Sequence, residues 1–155
     1  MTIDWKLIKN QLSQRKPICL YDFPDRENET DVLYIGNPVD AQTVNFLRKE
    51  VGGPLAIYLS GQFFKRLGIL AFTDFIKEAN TKGIMKRLVE HHKGHDPRFA
   101  ITIDARDNFT GCSPVESAHT TSVIYDLVVN SATYNDAELI NAFSSKIMSH
   151  QDISQ

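Results

Sequence analysis

Pro17-Ile18-Cys19-Leu20-Tyr21 and Val32-Leu33-Tyr34-Ile35 flank Asp25-Arg26-Glu27-Asn28-Glu29-Thr30-Asp31, and this succession of apolar, charged and apolar chain governs how the rest is read. The flanking runs are rich in apolar and β-favouring residues, so they predict two buried strands with the charges on the connection. Nothing about burying a core requires four acids and one arginine in seven residues. If Glu27, Glu29 and Asp31 lie in extended chain, their spacing of two turns all three to one side, a concentration of hard oxygen ligands. Such a cluster suits magnesium or a substrate rich in hydroxyl groups. Arg26 points to the other side, where its planar fork fits a carboxylate or a phosphate. A solvated acidic turn is the alternative reading of the same residues.

Working outward, Trp5, Ile8 and Leu12 stand at helical spacing and predict an opening amphipathic helix over Asp4 to Leu12 that packs on the sheet. After Asn37-Pro38, Asp40 is placed to cap a helix through Val51 with Val44, Phe46, Leu47 and Val51 on its core face, and Gly52-Gly53-Pro54 ends it. Leu55 to Leu59 predicts a third strand, Gln62 to Leu67 a short helix ending at Gly68, and Phe72, Phe75 and Ile76 a further helix. Ile84 and Leu88 start another, which runs out at Glu90-His91-His92-Lys93-Gly94. A strand is predicted at 99–105. Ser113-Pro114-Val115-Glu116 is a capping box with proline at the first helical position, so a helix is predicted from Pro114 to about Val129, and a last one from Asp136 to Met148.

The 155 residues are a typical length for one domain, and 42% hydrophobic with 23% charged residues is the balance of a globular protein. With 17 basic and 19 acidic residues the net charge of -2 provides no basic field for nucleic acid or an acidic membrane. The opening residues lack an apolar signal region and no apolar run approaches a membrane span, so a cytoplasmic protein is expected. Cys19 and Cys112, far apart, make neither a disulfide framework nor a metal site and are expected as reduced thiols. Strands and helices alternate without a regular strand-helix rhythm, which argues for an α+β fold with a mixed sheet under helices, in a single domain over 1–155.

Tyr21-Asp22-Phe23-Pro24-Asp25-Arg26-Glu27-Asn28-Glu29-Thr30-Asp31 resembles the signature of the 3,4-dihydroxy-2-butanone 4-phosphate synthase family, which reads Asp-Arg-Glu-Asn-Glu-Gly-Asp after a strand. Two further stretches follow in the family's order. Phe99-Ala100-Ile101-Thr102-Ile103-Asp104-Ala105 is similar to its later strand, and Asn108-Phe109-Thr110-Gly111-Cys112-Ser113 to its Thr-Thr-Gly-Ile-Ser turn. The resemblance implies a three-layer architecture, a mixed sheet flanked by helices, and a homodimer with active sites at the subunit interface. It implies a role in riboflavin biosynthesis, where ribulose 5-phosphate becomes dihydroxybutanone phosphate and formate through an enolisation that needs a general base and a divalent metal. Carried over, Glu27 binds Mg²⁺, Arg26 and Asp31 contact the sugar phosphate, and Thr110 sits where amides and a hydroxyl can cradle an anion. Glu29 joins Glu27 as a metal ligand through the oxygen cluster of the acidic run.

The sequence also departs from the family pattern. The family's Arg-x-Gly-His-Thr-Glu string, its Gly-His-Val-Phe-Pro segment and a later essential glutamate do not occur in these residues, so the family's C-terminal segment is read as lacking. Ala56 stands where the family carries a cysteine, and Thr30 replaces the glycine of the acidic string, a β-branched residue that resists positive φ. The expectation is a relative that retains the acidic half-site without full catalysis. An active lyase with replacement groups and a non-catalytic binding or oligomerisation module are the alternatives.

Three other constellations compete for a role. His91 and His95 are four apart, as paired metal ligands on a helix are, but Gly94 ends that helix before His95. His119 reads as a half-exposed helical histidine, and Cys112 beside the capping Ser113 needs no nucleophilic role. Phe63, Phe64, Phe72 and Phe75 read as core or dimer contacts.

Overall fold

A computed structural model describes residues 3–25, 27–35, 39–78 and 99–150. Helix α1 (Trp5–Ser13) starts where Asp4 accepts the amides of Lys6 and Leu7, each at 3.0 Å. That cap satisfies two of the donors every helix start leaves open. Strands β1 (Ile18–Tyr21) and β2 (Thr30–Leu33) form an antiparallel hairpin in which Ile18 faces Leu33 and Tyr21 faces Thr30. The hairpin is where the sequence placed it, but its strands are not buried. Leu20 and Tyr21 are more than half exposed, and apolar content alone does not say which side of a two-stranded ribbon is covered.

Asp40 accepts the Thr43 amide at 2.7 Å and opens α2 (Ala41–Phe46), which continues as a π-helical turn over Leu47–Val51. Gly52 and Gly53 then turn the chain with φ of 77° and 76°, a region glycine enters without penalty. Of the expected core face Val44 is fully buried and Leu47 half-buried, whereas Phe46 and Val51 are exposed. Residues 55–59 make no strand. Helix α3 (Gly61–Leu67) is capped by Ser60 and ends at Gly68 in the left-handed conformation, φ 67°. Helix α4 (Phe72–Glu78) follows as expected; the helix predicted around Ile84 lies outside the described residues.

Of the strand predicted at 99–105 only β3 (Ile103–Ala105) is laddered. The capping box works as predicted: Ser113 accepts the Glu116 amide at 3.2 Å, Glu116 accepts the Ser113 amide at 3.2 Å, and α5 runs over Pro114–Asn130. After a 3₁₀ turn (Ser131–Thr133), Asn135 and Glu138 form a second capping box for α6 (Asp136–Lys146). The last helix stops two residues early. Ile147–Ser149 leave it as β4 and pair antiparallel with β3, Ala105 opposite Ile147. The α+β class therefore stands, and among the described residues its sheet is two separate antiparallel pairs.

Contacts divide the chain into two compact units. The first comprises 1–57 and 108–126, with Val44, Ala118 and Ile124 buried. In the second, 58–107 with 127–155, Phe63, Ile76, Ala105, Leu127, Leu139 and Ile147 are buried, α3 packs on α6, and buried Asp104 pairs with His150 Nδ1. Among the described residues no helix is long and apolar enough to cross a membrane.

Candidate functional site

The acidic string occupies the loop of the β1–β2 hairpin in the first unit. Asp22, the residue after β1, sets its course. One carboxylate oxygen accepts the Glu27 amide and the other the Glu29 amide, both at 3.0 Å, while the Asp22 amide donates to the Glu29 carbonyl at 3.2 Å. Between the two glutamates, Asn28 takes a left-handed conformation, φ 54°, which asparagine tolerates better than most residues. The Tyr21 hydroxyl donates to the Asn28 side-chain oxygen at 2.9 Å and holds it there.

This geometry revises the reasoning from spacing. The chain from Glu27 to Asp31 is not uniformly extended, so the period of two does not describe it; the left-handed turn at Asn28 interrupts the run between Glu27 and Glu29. Positive φ falls on Asn28 rather than on Thr30, which is extended as the first residue of β2. The substitution of threonine for the family's glycine is therefore accommodated. Glu27, Glu29 and Asp31 are all exposed, and Glu29 has its pKa raised, first by the neighbouring charge of Glu27, then by desolvation and by Asp31 and Asp22. Like charges brought close disfavour full ionisation, and that repulsion is what a divalent cation relieves.

Two neighbouring glutamates fit Mg²⁺, which commonly takes one or two carboxylates and completes its shell with water and substrate oxygens. Among the described residues no three His, Cys, Asp or Glu side chains gather to hold a metal. Arg26, assigned to the sugar phosphate, lies outside the described residues, as do His91, His92 and His95.

Thr110 lies in the same unit, in the turn before α5. Its amide and hydroxyl meet an internal carboxylate that the sequence did not suggest as their partner. The Glu116 carboxylate accepts the amides of Phe109 at 2.7 Å, Thr110 at 2.9 Å and Ser113 at 3.2 Å. It also accepts the hydroxyls of Thr110 at 3.0 Å and Ser113 at 2.9 Å. These donors, the Thr110 amide foremost, hold the Glu116 pKa down to about 2 against an opposing desolvation. The Thr110 amide and hydroxyl are thus both directed at an internal carboxylate.

Arg48, on the π-helical turn, reaches the same segment, donating to the Cys112 carbonyl and to the Ser117 hydroxyl at 2.9 Å. Cys112 and Cys19 are both free and exposed, and His119 is exposed on α5. Spacing rules missed Asp22 and Arg48. An acid directly after a strand and before a Phe-Pro step was a usable signal for Asp22, since such residues often bind amides of the turn they enter. Nothing local marked Arg48, whose partners are more than sixty residues away.

Comparison with known proteins gives a consistent result. The family model for 3,4-dihydroxy-2-butanone 4-phosphate synthase matches residues 6–140. The chain is 27% identical over 106 residues to the 3,4-dihydroxy-2-butanone 4-phosphate synthase of Methanothermobacter thermautotrophicus, covering 66% of this chain and 46% of that protein. It is 28% identical over 132 residues to the enzyme of the same name from Archaeoglobus fulgidus, covering 83% and 56% respectively. The chain thus spans about half the length of these curated relatives. In fold it is similar to a two-domain 3,4-dihydroxy-2-butanone 4-phosphate synthase from A. baumannii, with a TM-score of 0.61, 20% identity, and coverage of 93% of this chain and 34% of that one.

Proposed function

This chain belongs to the 3,4-dihydroxy-2-butanone 4-phosphate synthase family, and from that premise we propose that its hairpin loop is the cation and sugar-phosphate half of a synthase-type site, without full catalysis in these 155 residues. The observation that carries the reading is the adjacency of Glu27 and Glu29 in one exposed loop, where a single Asp22 carboxylate accepts the backbone amides of both. In this reading Glu27 and Glu29 hold Mg²⁺, Arg26 and Asp31 contact a sugar phosphate such as ribulose 5-phosphate, and Thr110 contributes from the turn before α5. The bound cation would stabilise negative charge developing on the sugar's oxygens as a proton leaves carbon.

The engagement of Thr110 supports the restriction on catalysis. With its amide and hydroxyl both given to Glu116, a phosphate at this turn has to displace an internal carboxylate. A proton-transfer step also needs a positioned acid or base, each of which contributes about 10²- to 10⁴-fold. A cytoplasmic location and a homodimer belong to the same proposal, following the family.

The test is formate release from ribulose 5-phosphate with Mg²⁺ in excess, run beside Glu27→Ala, with melting temperature followed under both ligands. The reading expects a rise in melting temperature that Glu27→Ala abolishes, and no formate above the variant. Release that vanishes with Glu27 would instead establish a complete lyase. No ligand-dependent shift in the wild type would leave the hairpin a solvated turn.

A further inference from the structure

Asp22 stands outside the charged string, yet both of its carboxylate oxygens are committed to that string's backbone. One oxygen accepts the Glu27 amide and the other the Glu29 amide. The two residues that carry the proposed metal ligands therefore hang from a single side chain, with left-handed Asn28 as the bend between them. Asp22 is also half-buried where Glu27, Glu29 and Asp31 are exposed. A carboxylate with two amides on its oxygens is a fixed reference point for the loop.

We propose that Asp22 is the positioning residue of the acidic loop: by binding the amides of Glu27 and Glu29 it brings their side chains together as a pair able to share one divalent cation. It acts through the two glutamates and is not itself a ligand. This rests on the half-site reading above, and it adds a residue that neither the charged string nor its resemblance assigned.

The alternative to positioning is charge alone, since any acid near the loop attracts a cation. Asp25 separates the two, because it carries the same charge in the same loop while accepting neither amide. The experiment uses the full chain and Mn²⁺ as the probe, with affinity read by electron paramagnetic resonance. Amide hydrogen exchange at Glu27 and Glu29 is followed by NMR without metal. Asp22→Ala is expected to speed exchange at both amides and to weaken Mn²⁺ binding by about 10- to 100-fold, the usual cost of losing a group that orients a ligand. Asp22→Asn, which keeps one acceptor oxygen, is expected to fall between Asp22→Ala and the wild type in both measurements. Asp25→Ala is expected to leave exchange at both amides unchanged and to cost much less affinity.

Unchanged exchange in Asp22→Ala overturns the proposal. So does an affinity loss in Asp22→Ala no larger than in Asp25→Ala. A wild type that binds no Mn²⁺ overturns the half-site reading and the cation role of Asp22 with it, while the exchange rates separately decide whether Asp22 holds the loop.

Discussion

Replacing Arg66 tests how the second unit is held together. Its guanidinium leaves the last turn of α3 and uses three donors at the junction of α5 and α6. Nε meets Asp136 at 2.7 Å, Nη1 the Ser131 carbonyl at 2.8 Å and Nη2 the Tyr134 carbonyl at 2.6 Å. The ion pair adds little, because Asp136 is 68% exposed and exposed pairs contribute about 0–1 kcal/mol. The two carbonyl bonds are part-buried and charge-assisted, a class that contributes roughly 1.5–3 kcal/mol each when intact. Arg66 retains 22% exposure, so water can take over part of what is lost; the net cost of Arg66→Lys should be about 3 kcal/mol, because a lysine cannot span three acceptors. For a chain of this size that corresponds to a fall in melting temperature of roughly 6–12 °C. Calorimetry on the full chain measures it. A variant melting within about 2 °C of the wild type would refute the argument that the planar fork, rather than the positive charge, holds the junction.

Other outcomes follow from the same structure. Glu116 has a folded pKa of about 2 against an ordinary 4.5, so its stabilisation is fully present above the unfolded value and is lost as pH falls through the folded one; Glu116→Gln should lower the melting temperature at pH 7 and leave it nearly unchanged at pH 1, and equal effects at both would contradict the cradle. Leu139 is fully buried, so Leu139→Ala should cost about 2–5 kcal/mol in a denaturant titration. Gly68→Ala should destabilise by roughly 1 kcal/mol, a strain effect only, since no atom lies within 4 Å of the added Cβ; a gain in stability would show that the turn at Gly68 does not hold its left-handed conformation.

Much of the fold was legible wherever an element's end carries its own chemistry. Asp40, Gly68 and the Ser113–Glu116 box mark their helices because a cap is a contact between residues three or four apart. Pairing of distant segments was not legible. Ile147–Ser149 continues an apolar helical pattern, and only a partner at 103–105 turns it into a strand. Leu55 to Leu59 has strand-like composition but no ladder partner among the described residues. The same division runs through the candidate site. The acidic string was readable as a charged loop between two strands, whereas its course depends on Asp22 and Asn28, and the carboxylate that the Thr110 amide and hydroxyl bind belongs to a side chain that looked fully explained as a helix cap.

The interleaving of the two compact units bears on the order in which the nascent chain can become competent. The hairpin is complete by residue 35, but the first unit also needs 108–126, and the whole of 58–107 must be made in between. At about 5–20 residues per second, the acidic loop leaves the ribosome several seconds before the turn that carries Thr110 exists. Synthesis halted after residue 57 therefore yields the loop without that turn, and no single contiguous fragment contains the first unit without also carrying the intervening part of the second.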